Sequence, residues 1–112
     1  MVWTKVARTG EFEGSPMIVV FVGKRPIIIS KLDGKFYAVA AICTHMYGYL
    51  PSGAVKDGII TCPVHGAQFD LRTGKVVKDV PGMMKMASGG RGAHDLIAYE
   101  VEVNSEEIMV DA

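Results

Sequence analysis

Two cysteines in this chain each precede a histidine by two or three positions: Cys43-Thr44-His45 and Cys62-Pro63-Val64-His65. They are the only cysteines present, and they take two of the three histidines. Sixteen residues separate His45 from Cys62. Turn-forming residues bracket each pair, which places each on a loop leaving a strand. Thiolate and imidazole are ligands that hold transition metals. Two small buried hydrophobes beside incidental histidines would be the plain structural alternative. Two metals compete for the four side chains. A Cys2His2 set suits tetrahedral zinc, although zinc fingers usually keep the cysteines together and the histidines together. One of each per loop suits a two-iron cluster better. One iron takes both thiolates and the other both imidazoles, with the loops closing like pincers.

Such loops need a scaffold, and the patterning is that of strands. Short runs rich in Val, Ile, Phe and Tyr recur between Gly, Pro, Asp and Asn. The expected strands are Trp3–Arg8, Met17–Val22, Pro26–Ser30, Phe36–Ala40, Gly58–Thr61, Gln68–Asp70, Lys75–Val77, Leu96–Val103 and Glu107–Val110. Asp33-Gly34 lies between two such runs and tolerates the positive φ of a tight hairpin turn. Asn104-Ser105 gives the same signal more weakly. No stretch has helical periodicity with caps, and five prolines are spread so that a long helix is hard to place. The fold class expected is all-β, an antiparallel sandwich or barrel. Residues Ala87 to Ala93, rich in glycine and small side chains, read as a mobile loop.

Composition narrows the function classes. The chain has 112 residues, one domain's worth, with 49% hydrophobic residues and a formal net charge of zero. A balanced charge argues against a nucleic-acid binder, which needs a basic excess. The apolar content argues against disorder, and two cysteines cannot build a multi-bridge secreted framework. The most apolar early run, Met17 to Val22, is far short of the roughly 18–20 residues that span a bilayer. The N-terminus has no signal-peptide pattern. The expectation is a soluble, cytoplasmic protein. Charge is uneven along the chain: residues 1–40 carry six basic and three acidic groups, whereas residues 81–112 carry two and six. The ends therefore pair with one another or present an acidic face to a partner.

Cys43-Thr44-His45, then Cys62-Pro63-Val64-His65-Gly66-Ala67-Gln68-Phe69-Asp70, resembles the signature of Rieske [2Fe–2S] proteins. The likeness continues through Leu71-Arg72-Thr73-Gly74-Lys75. It reaches upstream to Leu32–Val39 and downstream to Leu96–Val103, covering roughly residues 26–110. It implies an antiparallel Rieske-like β-sandwich in a single domain, residues 1–112, with a small cluster-binding subdomain at about 41–82. It also implies one [2Fe–2S] cluster per chain, held by Cys43, His45, Cys62 and His65. In the family the imidazoles bind through Nδ1, which leaves their Nε2–H edges at the protein tip as the electron exit. Gly66 would let the backbone pass close to the cluster. Pro81, in Asp79-Val80-Pro81-Gly82, falls where the family has a shielding third loop. Met46, Tyr47, Tyr49, Leu50, Pro51 and Val64 would seal the cluster or dock a partner.

The resemblance also implies a potential. High-potential members carry an extra cysteine in each ligand loop and join them by a disulfide. The matching positions here are Gly48 and Val64. Those members also place serine and tyrosine hydroxyls against cluster sulfur, where this chain has Ala67 and Phe69. Losing such donors lowers the potential. A ring-hydroxylating oxygenase needs a second iron site of two histidines and a carboxylate, and only His94 is left for one. The function expected is a monomeric one-electron carrier between a reductase and an oxygenase or other oxidoreductase, not an enzyme itself. The alternatives are a small Rieske subunit of a nitrite-reductase-like assembly and a zinc-binding structural module. One stretch departs from the family pattern. Residues 83–95 lengthen the connection before Leu96, as a contact surface or as an idle insertion.

Overall fold

The computed structural model describes residues 2–44, 48–64, 66–82 and 92–112. It contains eleven strands among them: β1 (Trp3–Arg8), β2 (Met17–Val22), β3 (Arg25–Leu32), β4 (Lys35–Ala40), β5 (Val55–Lys56), β6 (Ile59–Thr61), β7 (Gln68–Asp70), β8 (Val76–Lys78), β9 (Ala98–Tyr99), β10 (Val101–Asn104) and β11 (Glu107–Asp111). They form three antiparallel sheets, ordered β1-β11-β10, β2-β3-β4-β9 and β5-β6-β7-β8. Short 3-10 turns occupy Thr9–Phe12 and Leu50–Ser52.

The hairpins follow from local chemistry. Leu32 pairs with Lys35 across Asp33-Gly34, whose φ values are 53° and 78°. Both residues take the left-handed conformation that a two-residue turn matching strand twist requires. Asp57-Gly58 repeats this geometry between β5 and β6, with φ values of 54° and 78°. The same dipeptide thus marks a hairpin that the strand patterning alone did not reveal. The last hairpin turns on Ser105-Glu106, one position later than expected, because Asn104 pairs with Glu107. The long closing strand is divided at Glu100: Tyr99 pairs with β4, whereas Val101 pairs with β11 in a different sheet.

The middle sheet is covered on both faces. Side chains alternate across a strand, and in β3 Ile27, Ile28, Ile29 and Ser30 are all buried. Ile27 and Ile29 enter one core with Ala7, Phe12, Ala38, Tyr99, Ile108 and Val110. Ile28 enters the other with Val39, Ala41, Cys43, Leu50, Ile60, Cys62, Ala67, Phe69, Leu71, Val80 and Leu96. The first core holds the chain ends together, and the second carries both cysteines. The charge asymmetry finds its partners at the ends. Lys5 pairs with Glu107 at 2.7 Å and Arg8 with Glu106 at 2.8 Å across β1 and β11.

Candidate metal centre

Each cysteine arrives at its place by simple alternation. Val39, Ala41 and Cys43 are successive inward positions of the chain leaving β4, and Ile60 and Cys62 are those of the chain leaving β6. Both thiols end buried in one core, and neither is disulfide-bonded.

The two loops close in the same way. The Cys43 N–H donates to the Gly48 carbonyl at 2.7 Å, and the Cys62 N–H donates to the Ala67 carbonyl at 2.7 Å. In each case the acceptor is five residues further on. A bridge between Ile42 and Tyr49 and a bond from Leu50 N–H to the Ala41 carbonyl (3.0 Å) seal the base of the first loop. In the second loop the Gly66 N–H also reaches back to the Cys62 carbonyl at 3.0 Å. Gly66 has φ +82°, which is what fixes glycine there. No described atom lies within 4 Å of where its side chain would start.

A close approach within the chain itself occurs at Gly48. A Cβ there would stand 2.6 Å from Cys62 Sγ and 2.8 Å from Val64 Cγ2. The loops are therefore in direct contact, and the Cys62 thiol lies against the backbone of the loop that carries Cys43. Nothing in the motif announces this contact, because it is between loops distant in sequence.

A third segment holds these loops from behind. Asp79 accepts from its neighbour Val80 N–H at 2.7 Å and from Ala93 N–H at 2.9 Å. Val80 is buried in the core with both cysteines, whereas Pro81 beside it is exposed. Thr44, between the first cysteine and histidine, is bonded through its hydroxyl to the backbone of His94.

The apolar residues around the loops divide by exposure. Leu50 is wholly buried beside the cysteines, so it seals the core and offers no docking surface. Tyr49 and Val64 are 43% and 50% exposed and lie at the loop ends. His45, Met46, Tyr47 and His65 lie outside the described residues, as do residues 83–91, which include most of the loop expected from Ala87 to Ala93 and of the 83–95 insertion. Among the described residues no group of three or more potential ligands forms, since two of the four candidates lie outside them.

Two buried thiols on loops that close identically and touch one another fit a cluster with one cysteine ligand from each loop. The comparison with known domains decides which cluster: the description Rieske [2Fe-2S] domain matches residues 2–97. The chain belongs to the Rieske [2Fe–2S] domain family. Among its curated relatives is the ferredoxin component of biphenyl 2,3-dioxygenase from Rhodococcus jostii (strain RHA1). That protein is 26% identical over 99% of this chain and 94% of its own length. Ferredoxin CarAc of Metapseudomonas resinovorans is 29% identical over 97% of this chain and 92% of its own length. A solved structure, described as a complex of reduced oxygenase and oxidized ferredoxin in carbazole 1,9a-dioxygenase, superimposes with a TM-score of 0.75. It is 27% identical and covers 97% of this chain and 92% of the matched one. The all-β antiparallel fold expected from the residues is the one observed.

Proposed function

We propose that this Rieske protein is a free-standing ferredoxin that takes one electron from a reductase and delivers it to an oxygenase or a related oxidoreductase. The observation that carries this reading is the pair of buried cysteines on two identically closed, touching loops. The near-complete coverage of the ferredoxin components it resembles supports the carrier reading. Cys43, His45, Cys62 and His65 would hold one [2Fe–2S] cluster, which supplies one-electron chemistry when bound. The chain itself contributes enclosure and access. Leu50, Val80 and Phe69 keep water from the thiol side, while Tyr49 and Val64 leave an apolar rim where a partner makes a brief contact.

Three finer features belong to the same reading. The potential lies in the lower half of the range of about −150 to +300 mV open to such centres, because Gly48 and Val64 allow no loop disulfide and Ala67 and Phe69 offer no hydroxyl. The carrier works as a monomer with its cluster-binding part at about 41–82. It works in the cytoplasm, in keeping with two cysteines committed to metal; no helix among the described residues is long and apolar enough to cross a membrane.

The test is purification followed by iron and acid-labile sulfide analysis, electron paramagnetic resonance of the reduced protein, and a coupled assay with a reductase and an oxygenase. A red-brown protein with equal iron and sulfide, reducible by one electron and able to sustain the oxygenase, is expected. A colourless zinc protein, or a cluster that no oxygenase accepts electrons from, overturns the proposal.

A further inference from the structure

The segment from Ala93 to Tyr99 runs antiparallel to the chain from Ala38 to Thr44. Ala38 pairs with Tyr99 and Val39 with Ala98, and the Ala40 N–H donates to the Ile97 carbonyl at 2.9 Å. Three residues further on, backbone pairing is replaced by a side chain. The Thr44 hydroxyl donates to the His94 carbonyl at 2.6 Å and accepts from the His94 N–H at 2.7 Å. One hydroxyl thus satisfies both backbone groups of one residue, as a facing strand would.

The other side of this segment is tied to the hairpin around β8. The Leu96 N–H donates to the Gly74 carbonyl at 2.7 Å, the Val76 N–H to Asp95 Oδ1 at 2.9 Å, and the Ala93 N–H to Asp79 Oδ1 at 2.9 Å. Leu96 is buried in the core that contains Cys43 and Cys62. The segment is therefore a strap with bonds on both sides, and Thr44 is where it grips the first ligand loop.

We infer that Thr44 is a positioning residue for the metal centre, acting through residues 93–96 to fix the backbone between Cys43 and His45. The inference rests on the [2Fe–2S] reading above. Thr44 lies between the two ligands of its loop, so a displacement there moves both. Its side chain is not a donor to the metal in this scheme. It sets where the loop stands relative to β8 and to the second loop.

The test uses the full-length holoprotein. Thr44→Val keeps the shape of the side chain and removes both hydrogen bonds, whereas Thr44→Ser keeps the hydroxyl. Two readouts apply: the g values of the reduced centre and the rate of iron transfer to a strong chelator. Thr44→Val is expected to shift the g values and to release iron roughly five- to thirtyfold faster, the factor that one or two hydrogen bonds of ordinary net strength give. Thr44→Ser is expected to restore both. A Thr44→Val protein with parental g values and parental iron release overturns the inference, as does a serine variant that behaves like valine. Should Thr44→Val not fold, Asp95→Ala decides, because it loosens the strap from the β8 side without touching a ligand loop. Shifted g values there support the inference, and unchanged ones overturn it. A parent protein without a reducible two-iron spectrum is a different failure, that of the ferredoxin reading itself.

Discussion

Gly48 and Cys62 meet face to face across the two cysteine-bearing loops, so that a methyl group on Gly48 would sit 2.6 Å from the Cys62 sulfur. No conformation of a one-atom side chain avoids that contact. Gly48→Ala is therefore expected to destabilise the protein by about 1–3 kcal/mol, the usual cost of overpacking, and to speed loss of visible absorbance. Thermal melting of the parent and the variant measures the first, and bleaching at constant temperature the second.

The same added atom would lie 3.5 Å from Val64 Cβ, at the short end of the spacing of disulfide-bonded pairs. The double variant Gly48→Cys/Val64→Cys is expected to close a bridge on oxidation, seen as loss of two free thiols in denaturant. A bridge over a loop of this length contributes about 3 kcal/mol. That offsets the crowding at Cys62, so the bridged protein is expected to melt near the parent and above Gly48→Ala.

Leu50 and Val64 both flank the centre and differ in what they lose on truncation. Leu50 is fully buried in the core with both cysteines. Leu50→Ala is expected to cost about 2–5 kcal/mol. Val64 is half exposed, and Val64→Ala is expected to stay within about 0.5 kcal/mol of the parent. Chemical denaturation of the two variants checks the contrast. Val64→Asp, read in the coupled assay, is expected to slow electron delivery while leaving the absorbance spectrum unchanged.

Ala67 is buried in the same core, and its carbonyl closes the second loop onto Cys62. A hydroxyl at this position gains a donor toward cluster sulfur, and such donors favour the more negative reduced state. Ala67→Ser is expected to raise the reduction potential, measured by redox titration with an optical readout. An unchanged or lowered potential would remove the role given to this position.

At the opposite end of the molecule, Lys5 holds the Glu107 carboxyl below the ordinary carboxylate range, first through its hydrogen bond and then through its charge. A depressed folded-state pKa contributes stability above the unfolded value, and that contribution fades as pH falls through the folded one. Lys5→Ala is expected to return Glu107 to the ordinary range in an NMR titration. Because the pair is exposed, melting temperature at neutral pH is expected to change little.

The inward placement of the two cysteines was legible because alternation along the strands limits where they point. The β1, β2 and β7 boundaries were legible in full because each strand is a compact run of suitable residues between turn formers. Strand β5 was not, since Val55 and Lys56 are both exposed and their pairing is decided by Asp57-Gly58 and not by their own pattern. The contact of Gly48 with Cys62 and the bonds of Thr44 escaped notice for a related reason. They depend on Cys62, Val64 and His94, which only the folded chain brings near. Leu50 was given two roles from sequence, sealing or docking, and the turn over Leu50–Ser52 directs it inward, which leaves the sealing one.

The three consecutive isoleucines of β3 send their side chains alternately into two cores, and this has a dynamic consequence. Neither half of the molecule can open without stripping contacts from the strand that the other half needs. The amides of Ile27 to Ile29 are then released to solvent only when the whole chain unfolds, and they report global stability in hydrogen exchange. The core that carries the cysteines and the core that holds the chain ends are thus one peptide apart in β3, from Ile28 to the residues on either side of it.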